Sequence, residues 1–248
     1  MSVYLSFGIL VLIVGVGHGY QFPGDFLKCG LDQEDLDQCL IKAMEIIFHQ
    51  YGKTGIPSLN LPSIDPIEIP KMEIGAGTGA VNLVQRYQKA RIFGLSDSKI
   101  VRVHYDQNNK ILNFTADYPE LRQEAKYNMS GKVMMLSVHG FGDSILRLKE
   151  PTIVHVATFK EKTKMGKKHL HIEDYSLRFT IKGARYDFKN MFDGDEKLSG
   201  VVSKVLNDNW NVIFEDVRDG YEQTYGLVCK AIANQFFDTV PMEDIFLK

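Results

Sequence analysis

The chain has 248 residues, 44% of them hydrophobic and 24% charged, with a formal net charge of -2. That apolar content supports a sizeable core and excludes a disordered chain. Both signs of charge are interspersed, which leaves no electrostatic footprint for nucleic acid.

Residues 5–16 are apolar apart from Ser6, and Gly17-His18-Gly19 supplies small residues suited to signal peptidase cleavage before Tyr20. The pattern reads as a signal peptide over 1–19 followed by a single domain over 20–248, although no Lys or Arg precedes the apolar run. About a dozen apolar residues cannot cross roughly 30 Å of hydrocarbon as a helix, so no integral membrane anchor is expected. Secretion makes disulfides durable. Cys29 and Cys39 flank Gly30 and an acidic turn and are expected to pair, which for so short a loop stabilises by roughly 2–3 kcal/mol. Cys229 falls on the apolar face of the last helical stretch and reads as a buried free thiol, with a reactive nucleophile as the lesser alternative.

Asp32 to Glu34 can cap a helix whose apolar residues Leu36, Leu40, Ala43, Ile46 and Ile47 recur at helical spacing, with Gly52 as its stop. Pro57, Pro62, Pro66 and Pro70 then impose an extended path. In Gly75-Ala-Gly77-Thr-Gly79 a phosphate loop would have to open a helix, whereas the residues that follow, through Ile92, are strand-like. A hairpin or bulge is expected there. Strands are predicted over 100–106, 110–118, 121–128, 132–138, 144–148, 152–162 and 168–188, with 107–109 as a turn. Lys160, Lys162, Lys164, Lys167 and Lys168 surround Met165-Gly166 and read as a solvated hairpin tip, against a lipid-headgroup contact.

In the last predicted strand Leu170 and Ile172 share one face, but Tyr175, Leu177, Phe179 and Ile181 share the other. A bulge near Asp174 would produce that shift and bend the sheet. Over 196–237, Leu198, Val201, Val202, Val205, Val212 and Ile213 form an apolar stripe continued by Tyr225, Val228, Cys229, Ile232 and Phe236, with Gly220 as the expected bend. A helix of about 40 residues would be about 60 Å long, too long to stand alone in a compact domain. The expected fold is therefore α+β, a highly curved antiparallel sheet wrapped around a long C-terminal helix, with an apolar lumen inside.

Such a lumen needs apolar walls with few polar groups. Val154, Val156, Leu177, Phe179, Ile181, Val201, Val205, Phe236 and Phe237 are the candidate ligand-binding residues, ordinary core packing being the alternative for each. His169, His171 and Glu173 share one face of a regular strand and would offer metal ligands, but with Leu170 and Ile172 turned to the core the histidines face solvent; no metal is expected. His139-Gly140-Phe141-Gly142 resembles an oxyanion-hole loop, yet no Gly-x-Ser-x-Gly elbow accompanies it. No catalytic residues and no cofactor are implied. Asn113-Phe-Thr115 and Asn128-Met-Ser130 are N-glycosylation sequons, each requiring an outward-facing Asn.

Five segments together resemble a known family. They are Asp117-Tyr-Pro-Glu-Leu121 with its continuation through 136, Asp65-Pro-Ile-Glu-Ile-Pro70, Ile92-Phe-Gly-Leu-Ser96, Asn190-Met-Phe-Asp-Gly-Asp195 and Pro241-Met-Glu-Asp-Ile-Phe246. In this order they resemble the insect takeout and juvenile-hormone-binding protein family over essentially the whole mature chain. The resemblance implies a tubular lipid-binding fold and a secreted carrier of terpenoids, juvenile-hormone-like molecules or fatty acids, in some members linked to circadian, feeding or chemosensory physiology. The family's short N-terminal disulfide maps onto Cys29 and Cys39. Hormone carriers proper have a second disulfide, for which Cys229 has no partner here, so the resemblance favours the takeout branch. A monomeric, non-enzymatic carrier of a small hydrophobic ligand is the resulting expectation. The alternative is a secreted protein-interaction or membrane-surface factor with structural lipid inside.

Overall fold

The computed structural model describes residues 20–75 and 79–247. The expected signal peptide, and part of the glycine-rich stretch, lie outside the described residues. Among the described residues an α-helix, α1 (Leu36–Tyr51), comes first, and nine strands in two antiparallel sheets follow. One sheet has the order β1 (Ile67–Ile74), β2 (Val81–Phe93), β5 (Glu120–Val133), β6 (Leu136–Lys149), β9 (Gly183–Phe188). The other runs β3 (Lys99–Asp106), β4 (Ile111–Asp117), β7 (Thr152–Lys164), β8 (Lys167–Thr180). Helices α2 (Glu196–Asp208), α3 (Trp210–Phe237) and the short α4 (Met242–Ile245) follow.

Alternation explains the strands. In β5, Leu121, Gln123, Ala125, Tyr127 and Met129 turn inward, while Arg122, Glu124, Lys126 and Asn128 turn outward. The outward charges pair across strands, Arg91 with Glu124 at 2.9 Å and Lys126 with Asp143 at 2.6 Å. Because the same period continues to Val133, β5 runs past the predicted end at 128, and the predicted strand 132–138 straddles the turn into β6. Residues 120–149 form one long hairpin that turns at Met134, where φ is 54°. The predicted strand 168–188 divides instead, β8 ending one sheet and β9 the other. Between the pairs Thr158–Asp174 and Phe159–Ile172 the register shifts, so the expected bulge is present at Glu173. Further shifts interrupt β2 and β3, and bulges of this kind increase twist and curl a sheet.

The long helical stretch breaks at Asn209, not at Gly220. The Asn209 side chain donates to the Val205 carbonyl at 2.9 Å, and its backbone leaves the helical region at φ -113°. Short polar side chains compete with the helix for its own backbone in this way. Asp195 caps α2 by accepting from the amides of Lys197 and Leu198, both at 3.0 Å. At Asp35, the N-cap position of α1, no side-chain cap forms. Gly220 remains helical and has a packing role. A Cβ there would lie 2.9 Å from Ile74 of β1, and one at Gly226 would lie 3.1 Å from the Tyr175 carbonyl of β8. These two glycines seat α3 against one sheet and then the other.

Side chains of α2 and α3 also close one edge of each sheet. Asn207 accepts from the Tyr186 amide and donates to its carbonyl, each at 2.9 Å, on edge strand β9. Asn234 does the same for Ile172 on edge strand β8, at 2.8 and 3.0 Å. Glu222 accepts from the Phe179 amide at 2.8 Å. Open edges are templates for unwanted pairing, and here helix side chains occupy them.

Candidate functional site

Cys29 is disulfide-bonded to Cys39, which ties the N-terminal segment to the first turn of α1. The Cys29 carbonyl also accepts from the Leu247 amide at 2.9 Å. The two ends of the described chain are thereby braced together over β3, β4, β7 and β8. Behind them lies an apolar cavity of about 310 Å³. Leu40, Ala43, Met44 and Ile47 of α1 form one wall; Phe114, Ala157, Phe159, Leu170 and Ile172 of the four-stranded sheet form the other. Ile232, Ala233, Phe236 and Phe237 of α3 make the floor. A second cavity of about 50 Å³ lies deeper, lined by Leu121, Leu148, Ile153, Leu177 and Phe179 among others. Ile67, Leu95, His155 and Cys229 border both spaces.

The candidate wall residues divide between positions. Phe236 and Phe237 line the larger cavity, and Leu177 and Phe179 the smaller. Ile181 packs half-buried against the core and is not among the residues lining either. Val154 and Val156 do not face the lumen. They pair with Thr115 and Asn113 on the outer face of the sheet, where Val154 is 43% exposed. Val201 is 56% exposed on the outside of α2, and Val205 is only half-buried on the same helix. Valine favours strands on either face, so its apolar character did not reveal the parity. The inward series on β7 is Ile153, His155, Ala157 and Phe159.

Histidine placement also differs from expectation. His169 is 4% exposed, not solvent-facing, because α4 packs against β8 at this end. Next to it, His171 bonds Asp238 through Nδ1 at 2.7 Å. Among the described residues no group of three or more His, Cys, Asp or Glu is arranged to hold a metal ion. Of the sequon residues, Asn128 is exposed on the outer face of β5 and Asn113 is half-buried on that of β4.

Polar groups inside the larger cavity are few, and His155 and Tyr118 among them were not singled out from the sequence. His155 is 5% exposed, stacks on Phe114 with ring centroids 4.2 Å apart, and bonds the Tyr175 hydroxyl through Nδ1 at 2.8 Å. Burial holds its pKa down at about 3. Tyr175 also lies close to Cys229, the free cysteine, whose thiol burial pushes up to about 12. The residual exposure of Cys229 and Tyr175 is toward the cavity they line. Tyr118, at the crossing from β4 to β5, is 3% exposed, and its hydroxyl is driven well above the usual tyrosine range by burial. Alternation with Ala157 and Phe159 was the available signal for His155.

Four similarities bear on this architecture. The chain is 28% identical over 233 residues to circadian clock-controlled protein daywake of Drosophila yakuba, a match covering 91% of this chain and 88% of that protein. The Drosophila melanogaster daywake is 27% identical over 235 residues, covering 92% and 89%. Takeout 1 of Epiphyas postvittana has the same fold, with a TM-score of 0.78 and 20% identity over 90% of this chain and 100% of that one. The family described as haemolymph juvenile hormone binding protein (JHBP) matches residues 8–247, and the chain belongs to that family.

Proposed function

We propose that this protein is a secreted, monomeric carrier that reversibly binds a small hydrophobic molecule, a terpenoid, juvenile-hormone-like compound or fatty acid, and does not transform it. The cavity of about 310 Å³, lined almost wholly by apolar side chains, carries the reading. That volume is at the small end of ordinary ligand pockets, and burying the ligand's apolar surface there would supply roughly 25 cal/mol per Å². Membership of the family supports the carrier class. Secretion with loss of residues 1–19, a single domain over 20–248 and glycans on Asn113 and Asn128 belong to the same proposal. A circadian role belongs to it too, on the likeness to the circadian clock-controlled daywake proteins of Drosophila.

Lipid-stripped protein should bind an apolar fluorescent probe and release it to terpenoids or fatty acids, with a rise in melting temperature. Neither effect across a broad panel would refute the carrier reading. A second reading, a membrane-surface factor holding structural lipid, draws on Met135 and Met165, each 95% exposed at a hairpin tip beside lysines. Co-sedimentation with anionic vesicles, lost in Met165→Asp, would favour it.

A further inference from the structure

Buried polar atoms are ordinarily paired, and an unpaired one inside a cavity marks a place for a partner. His155 and Tyr118 both line the larger cavity, and Nε2 of the first and the hydroxyl of the second are buried and without a hydrogen-bond partner. Tyr118 lies within electrostatic range of Cys229 and Tyr175, so the polar groups form one cluster on an otherwise apolar wall. Elsewhere in the core the hydroxyls of Tyr87 and Tyr221 both reach Gln85 Oε1, at 2.8 and 3.2 Å.

The proton pattern of the cluster follows from its bonds. With the Tyr175 hydroxyl as donor to His155 Nδ1, one of the two arrangements this bond allows, Nδ1 is the accepting nitrogen. Burial keeps the imidazole uncharged, and its one proton therefore sits on Nε2. The cavity thus presents two donors, an N–H and an O–H, with no acceptor spent on either. Among the described residues no Lys or Arg lines this cavity, so none of them compensates a buried anion there.

Resting on the carrier reading, we propose that His155 and Tyr118 form a polar anchor that selects apolar molecules bearing a neutral acceptor oxygen, such as an ester or ketone carbonyl. The anchor orients the ligand, with its hydrocarbon part toward α1 and the C-terminal turn of α3. A hydrocarbon of equal length would leave both donors unpaired. A carboxylate would bring an uncompensated charge.

The test uses lipid-stripped full-length mature protein, an apolar naphthylamine probe, and displacement by methyl dodecanoate, tridecane and, at pH 8, dodecanoate. The ester should bind about tenfold more tightly than tridecane, and that ratio should fall several-fold in both His155→Phe and Tyr118→Phe. Tyr118→Phe removes a single oxygen, so the comparison survives if His155→Phe does not fold. Equal affinity for ester and hydrocarbon, a ratio unchanged in the variants, or dodecanoate binding more tightly than the ester would each overturn the anchor while leaving the carrier reading intact. If the probe and all competitors fail to bind, the carrier reading falls and the anchor with it.

Discussion

His155 is a neutral imidazole in an apolar wall, and that makes stability depend on pH. Its folded pKa lies at about 3 against an ordinary value of 6.5, so the unfolded chain takes up a proton that the fold refuses. Stability is therefore fully present above about pH 6.5 and falls as pH drops toward 3, by about 1.4 kcal/mol per unit. The titratable groups around it, Tyr118, Tyr175 and Cys229, are all pushed upward and stay uncharged through this window. Between pH 7 and pH 5 the protein should lose about 2 kcal/mol that His155→Phe does not lose, read from urea melts at both values; equal losses would contradict the assignment. Cys229 gives a second check, because a thiol held near 12 has almost no thiolate at pH 8. A maleimide should label one thiol per chain only after unfolding without reductant, and rapid labelling of the native protein would count against this burial. Cys229 could be read as a buried thiol from its place on the apolar face of the helix, whereas the role of His155 was not visible by residue type alone. Val154 and Val156 look more like cavity walls than the histidine between them, and only strand parity reverses that judgement.

At the scale of elements, the alternating and helical patterns show where strands and helices lie, while their ends depend on tertiary partners. The Glu173 bulge could be read because it moves every following side chain to the opposite face. The division of the chain between two sheets could not, since β8 and β9 are joined through Ile181 and Lys182 without any breaker such as proline. The polar residues of α2 and α3 were equally opaque: Asn207, Glu222 and Asn234 look like solvent-facing helix positions until the strand edges they close are seen. Those contacts replace a missing strand, so removing one leaves buried backbone groups unpaired. Asn234→Ala should destabilise by about 1–3 kcal/mol, because both the amide and the carbonyl of Ile172 lose their partner. Asn211→Ala, on the exposed side of the same helix, should stay within about 0.5 kcal/mol. Equal and small effects in thermal melts would mean that the edge of β8 does not need the helix.

For the whole molecule, a cavity is volume that no side chain fills, and a sequence records faces but not unfilled volume. Leu177, Phe179, Phe236 and Phe237 could be assigned to the interior, yet α1 and its Leu40, Met44 and Ile47 became a wall only when the termini were found braced over the four-stranded sheet. The decisive contrast is between neighbours on β7. Ala157 is buried and lines the larger cavity, whereas Val154 lies on the outer face of the same strand. Ala157→Phe should fill the space a ligand would take, at a packing cost of about 1–3 kcal/mol. Val154→Phe adds aromatic bulk to the outside. Ligand at one hundred times its dissociation constant stabilises the folded state by about 2.7 kcal/mol, which in a chain of this size raises the melting temperature by several degrees. That rise should persist in Val154→Phe and vanish in Ala157→Phe, with calorimetric scans at saturating methyl dodecanoate as the measurement. A rise retained in Ala157→Phe would place the ligand outside the larger cavity, and a rise lost in Val154→Phe would move it to the sheet's outer face.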